Sequence, residues 1–127
     1  GETIKSLVVD QGMFGREDNG PDFGAYAVEA SQLVQLPQSW VLRQVSESEK
    51  LRQGYALFLD WIRGRKAERE RGLLCLTPQE RLLDFRKAEP DLIVRLPEGD
   101  IARYLGITPI AYSRIKRRLD LNAAATL

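Results

Sequence analysis

Five of the six residues from 113 to 118 carry a hydroxyl or a fixed positive charge: Ser113, Arg114, Lys116, Arg117 and Arg118. Guanidinium and ammonium groups at this density hold phosphates and donate to base edges, and they do not turn over protons at neutral pH. Reaction chemistry has no comparable constellation. The carboxylates are scattered among arginines, histidine is absent, Cys75 is the single cysteine, and no glycine-rich phosphate loop or nucleophile motif is present. The chain is therefore read as a non-enzyme with no metal and no cofactor. A zinc finger or a disulfide within the chain is excluded on the same count.

The cluster must sit on an element that aims it. Residues 96–119 read LPEGDIARYLGITPIAYSRIKRRL, and Ile101, Ala102 and Leu105 give one short helix an apolar side. Gly106 supplies a turn residue free to take positive φ, and Ile107 plugs the space beneath that turn. Thr108 caps a second helix and Pro109 takes its first position, where a missing N–H costs nothing. Tyr112 and Ile115, three apart, anchor that helix to a core, and Ala102 is small where the two helices approach. The scaffold of this helix-turn-helix is thus Ala102, Gly106, Ile107, Tyr112 and Ile115. Base-reading candidates are Ser113, Arg114 and Arg117; phosphate candidates are Arg103, Thr108, Lys116 and Arg118. With Tyr112 as an anchor, the first-turn candidates are Pro109, Ile110, Ser113 and Arg114.

Charge divides the chain in the same sense. The 127 residues carry a formal net charge of only +1, yet residues 95–118 hold six basic and two acidic side chains. The first 45 residues hold three basic and six acidic ones. Only the rear is built to approach a polyanion. No 18-residue apolar run and no secretory leader is present, so the expectation is a soluble cytoplasmic protein without membrane contact. The chain starts with Gly1 rather than Met, as a tag remnant or a fragment of a longer protein would.

The front reads as strands: Ile4 with Leu7-Val8-Val9, then Met13-Phe14-Gly15, a loop over residues 16–24, then residues 25–30 and 33–36. So few strands require edge pairing with further sequence or another chain. After Pro37, residues 39–45 predict a short helix with Trp40 as a packing residue. Ser46 is placed to cap a longer helix to about Arg71, with Glu49 in a capping box. Leu51, Tyr55, Phe58 and Ile62 form one apolar stripe of that helix, and Gly54, Leu57 and Trp61 form a neighbouring stripe suited to a second copy. Residues 63–71 alternate in charge as a solvated face, Gly72 is expected to break the helix, and Cys75 reads as a small buried hydrophobe. Thr77-Pro78-Gln79-Glu80 is a capping box that opens a helix ending near Glu89-Pro90, with Leu82, Leu83 and Phe85 apolar.

The order of these rear motifs resembles the DNA-binding domain of Crp/Fnr-type bacterial transcription regulators. The likeness rests on Leu76-Thr77-Pro78-Gln79-Glu80-Arg81, Pro90-Asp91-Leu92, Arg95-Leu96-Pro97, residues 100–109 and residues 112–119. It implies an α+β fold: a partial or reduced cyclic-nucleotide-binding-like β-roll with a short helix over residues 1–45, a dimerisation helix over 46–72, and a winged-helix-like helix-turn-helix domain over 73–127. It further implies a homodimeric, sequence-specific regulator on double-stranded DNA, with RNA polymerase as a candidate further partner. Gly15-Arg16-Glu17 only loosely resembles the family's nucleotide-binding turn, and Ala25-Tyr26 stands where an arginine would bind the phosphate. Cyclic-nucleotide binding is therefore not expected, and one Cys without His does not provide the ligands of the iron-sulfur or haem members. The alternative is a protein-interaction adaptor that uses the helix pair without specific DNA readout.

Overall fold

The computed structural model describes residues 2–15 and 23–126, and every regular element among them is a helix. In chain order these are α1 (Gln38–Glu47), α2 (Glu49–Cys75), α3 (Pro78–Ala88), α4 (Pro90–Arg95), α5 (Glu98–Leu105) and α6 (Pro109–Ala125). Residues Glu29–Leu74 make one compact unit, and the remaining described residues make another.

In the second of these units, local chemistry sets each boundary. The Thr77 hydroxyl accepts from the Glu80 amide at 3.3 Å while the Glu80 carboxylate accepts from the Thr77 amide at 2.8 Å. With Pro78 in the first turn, this reciprocal box fixes where α3 starts. Glu89 ends α3 and Pro90 starts α4 at once, so the link into the helix-turn-helix is a helical turn. Gly106 ends α5 in the left-handed region at φ 64° and ψ 37°. The Ile107 amide then reaches back to the Ala102 carbonyl at 2.9 Å, which satisfies an orphan acceptor and turns the chain. Thr108 caps α6 by accepting from the Ala111 amide at 3.2 Å.

These helices close on one core. Leu82 and Phe85 from α3, Leu92 from α4, Ile101, Ala102 and Leu105 from α5, Ile107 from the turn, and Tyr112 and Ile115 from α6 are all buried. Leu82, Ile101 and Ala102 are fully buried, so truncating either of the two large ones leaves a cavity worth about 2–5 kcal/mol. The Phe85 and Tyr104 rings pack with centroids 5.7 Å apart at 55°. Leu7 lies half-buried against this core, and Lys5 stands 5.3 Å from the centre of the Phe23 ring.

The front departs from the expected fold. Among the described residues there is no strand, so neither a β-roll nor a β-wing is present, and the fold is all-helical instead of α+β. This overturns the resemblance to Crp/Fnr regulators, whose sensor is a sheet. Residues 7–9, 13–15, 25–30 and 33–36 all lie outside regular structure. The physical reason is visible in their exposure: Val8 and Val9 are both about half exposed, Leu33 75% and Val34 87%. Adjacent residues exposed together lack the one-face burial that alternation in a sheet requires, and a strand without a partner leaves its ladder groups unpaired. Only a turn survives at the first predicted boundary, where the Gly12 amide donates to the Val9 carbonyl at 2.8 Å and Gln11 takes φ 63°. Of the predicted 16–24 loop and the Gly15-Arg16-Glu17 turn, residues 16–22 lie outside the described residues.

Four local expectations along α1 and α2 also change. Ser48, not Ser46, accepts from the Leu51 amide at 3.3 Å, while the Ser46 hydroxyl donates to the Arg43 carbonyl. Consequently α2 starts at Glu49. It runs through Gly72 to Cys75, since one glycine in a long helix costs only about 1 kcal/mol relative to alanine. Trp40 and Cys75 are exposed rather than packed. Among the described residues, no helix is long and apolar enough to cross a membrane.

Because Gly106 holds positive φ at the joint between α5 and α6, Gly106→Ala is expected to destabilise the α3–α6 unit by about 1–2 kcal/mol. Urea unfolding followed by circular dichroism measures this; an unchanged midpoint would mean that the turn has relaxed to another conformation.

Candidate nucleic-acid interface

One row of α6 faces solvent from end to end. Tyr112 and Ile115 are buried and Leu119 is half-buried, which turns Ile110, Ser113, Arg114 and Arg117 outward at spacings of three, one and three. All four are exposed, and Ile110 is 68% so. Among the described residues neither guanidinium, Arg114 nor Arg117, has an ion-pair or hydrogen-bond partner. Their charge is open to an external acceptor.

The four phosphate candidates stand differently. The Lys116 ammonium is bonded to the Glu98 carboxylate, joining α6 to the first turn of α5. Arg118 donates to Gln79 Oε1 at 3.3 Å, joining α6 to α3. Arg103 pairs with Asp100 at 3.3 Å, and Asp100 is itself buried in the first turn of α5, where a negative charge suits the helix dipole. Thr108 spends its hydroxyl oxygen on the α6 cap. Three of the five cations predicted to meet DNA are therefore held by internal partners. The Lys116–Glu98 and Arg118–Gln79 contacts are solvent-exposed, so a phosphate can compete for them, whereas Arg103 holds a buried carboxylate.

The scaffold residues are where the turn needs them. Ala102, Ile107, Tyr112 and Ile115 are buried, and Gly106 is the exposed left-handed joint. With Tyr112 only 3% exposed, it is an anchor of α6 in the core. Burial pushes its phenol pKa up, with the Glu98 carboxylate adding to the rise. Glu98 also raises the Lys116 pKa, first through their hydrogen bond and then through charge attraction.

Two features were not legible as functional in the sequence. Arg81, on the first turn and a half of α3, donates to the Leu105 carbonyl at 2.7 Å and approaches the Gly106 carbonyl at 3.5 Å. A cation at the C-terminal end of α5 satisfies orphan carbonyls and meets the negative end of the helix dipole. The position within a Thr-Pro-Gln-Glu-Arg capping motif marks its start, but the partner lies 24 residues away. Arg86 likewise reaches Asp120 at 3.3 Å, tying α3 to the rear of α6. The spacing of α3 from α6 is thus pinned by Arg86–Asp120 and Gln79–Arg118 at two points.

Comparison with protein-family models, with curated proteins and with solved structures returns no match.

Raised folded-state pKa values at Tyr112 and Lys116 fix the sign of an alkaline effect. Each group contributes stability that is fully present below its unfolded pKa, near 10 for tyrosine and about 10.4 for lysine, and lost as pH rises through the higher folded value. Thermal unfolding midpoints are expected to fall above about pH 10, and to fall less steeply in Tyr112→Phe. Parallel curves for the two proteins would show that the phenol is not the titrating group.

Proposed function

We propose that this chain binds double-stranded DNA with sequence preference and acts as a homodimeric regulator. The observation that carries the reading is the solvent-facing row of α6, in which Ser113, Arg114 and Arg117 stand free on a helix set by a rigid Gly106 turn. A helix of this kind docks in the major groove with its N-terminal residues on base edges, and two copies on a pseudo-palindrome place two such helices one turn apart. Arg114 and Arg117 suit the O6 and N7 acceptors of guanine, and Ser113 suits either base type. Arg103, Lys116 and Arg118 serve as phosphate contacts by exchanging their internal partners for backbone oxygens.

The second copy is assigned to α2. This helix has 27 residues, spans about 40 Å and buries none of its side chains. Leu57 is 72% exposed and Trp61 56%, on the stripe that Gly54 continues without a Cβ. A helix with no buried residue depends on outside packing for most of its stability, and a partner α2 supplies it.

The second reading, a protein-interaction adaptor on the same helix pair, draws on the internal pairing of Lys116, Arg118 and Arg103, which lowers the free charge of the face. Salt separates the two. DNA binding should weaken steeply between 50 and 200 mM salt, in proportion to the number of phosphates neutralised.

Selection of duplex DNA from a random pool is expected to recover inverted repeats. On the recovered site Arg114→Ala should cost about 1–3 kcal/mol, with a much smaller loss on random duplex. An equal loss on both would make Arg114 a phosphate contact, and failure to bind any duplex would favour the adaptor.

For the dimer, sedimentation equilibrium should give twice the chain mass of 14.4 kDa, and Leu57→Glu should return it to the monomer value. A Leu57→Glu protein that remains dimeric would place the contact elsewhere.

A further inference from the structure

We propose that Ile110 reads the 5-methyl group of a thymine, so that the exposed row of α6 selects a T·A pair through an apolar contact beside its two free guanidiniums. This rests on the duplex-DNA reading given above and deepens it from charge to base identity.

Ile110 is the second residue of α6 and 68% exposed, while the core residues of the same helix, Tyr112 and Ile115, are at most 8% exposed. Packing within the fold does not account for it. Its neighbours along the row, at three, four and seven residues, are Ser113, Arg114 and Arg117, so the isoleucine is an apolar point in a polar, cationic surface. Leu121 is the next exposed apolar side chain of α6 and lies about 16 Å farther along the helix, beyond the first turns that meet base edges in a docked helix-turn-helix. An apolar protein partner would call for a contiguous patch at the helix tip, and the polar neighbours do not provide one.

The major-groove edge of DNA offers one apolar group among its donors and acceptors, the C5 methyl of thymine. An isolated aliphatic side chain flanked by guanidiniums is the complement of that edge: the cations hold phosphates or guanine acceptors on adjacent steps while the isoleucine covers the methyl. Its β-branch also fixes χ1 in a helix, so little rotamer freedom is lost on contact. Thr108 and Pro109 set the start of α6 and hence the depth at which Ile110 projects.

The test uses the full chain and duplexes recovered from a random pool, first with the native protein and then with Ile110→Ala. In the best native duplex, each thymine is replaced in turn by uracil, which removes the 5-methyl group and leaves base pairing intact. One thymine per half-site is expected at which uracil weakens native binding roughly three- to fivefold, the effect of uncovering one methyl-sized group. The same replacement should leave Ile110→Ala binding unchanged, and the pool selected by Ile110→Ala should lose its thymine at that position. Because Ile110 is exposed, the variant should melt with the native protein, which separates loss of contact from loss of fold. Native binding that is indifferent to every uracil, or a uracil penalty that persists in Ile110→Ala, overturns the role of Ile110 while leaving DNA recognition standing. A native protein that enriches no duplex sequence overturns DNA reading and the methyl contact together.

Discussion

The bond from Arg81 to the Leu105 carbonyl is the constraint on which the placement of α6 depends. A charged donor on a helix carbonyl contributes about 1.5–3 kcal/mol, more than any surface ion pair in the unit. Its effect is directional. The Thr77–Glu80 box fixes the first turn of α3, and with it the position of Arg81. Arg81 then holds the last turn of α5 beside α3, which leaves Gly106 to reverse the chain and Ile107 to enter the core. Thr108 then caps α6 by accepting from the Ala111 amide. A shift at the start of α3 would therefore be felt at Ile110 and Arg114, although neither touches α3's first turn by any bond described.

Counting charges along the sequence and counting charges open to a ligand give different answers for this domain. Residues 95–118 carry a surplus of four positive charges, but Lys116, Arg118 and Arg103 each find an acceptor within the fold. Glu98, Asp100 and Gln79 lie on α5 and α3, and their proximity to α6 or to one another follows from the turn and the core, not from sequence spacing, except for the three-residue step from Asp100 to Arg103. The two guanidiniums without internal partners are those that the row opposite Tyr112 and Ile115 turns outward.

The rear of the chain was legible because its signals are short-range. Thr77, Pro78 and Glu80, Thr108 and Pro109, and Gly106 act on backbone groups within five residues, so composition and spacing specify their roles. The core residues of α5 and α6 followed from helical periodicity. The front was not legible because strand formation is a property of pairs. Leu7-Val8-Val9 and Leu33-Val34 have the composition of strands, but no ladder partner reaches them among the described residues, and the β-roll carried over by resemblance had nothing local to support it. The misplaced start of α2 is a smaller case of the same kind: Ser46 and Ser48 both qualify as caps, and the choice falls to Ser48 when α1 extends to Glu47. Gly72 and Cys75 misled in the opposite direction, since the helix continues past one and exposes the other.

On the proposed DNA reading, the internal pairs also determine how affinity is shared between charge and shape. With Arg114 and Arg117 on base edges, phosphate neutralisation falls to the recruitment of Arg103, Lys116 and Arg118, at most about three phosphates per copy, a salt slope near −2.7 per copy and about −5.4 for a dimer. The pairs with Glu98 and Asp100 oppose that recruitment, because a phosphate that takes the cation leaves a carboxylate facing a polyanion, and Asp100 is buried. Gln79, being neutral, imposes no such penalty, so Arg118 is the paired cation most readily released. A face with few free charges binds random DNA weakly. Its affinity for a chosen sequence must then come from the base edges that Ile110, Ser113, Arg114 and Arg117 meet and from doubling those contacts through a second copy, where effective concentration multiplies two modest interactions.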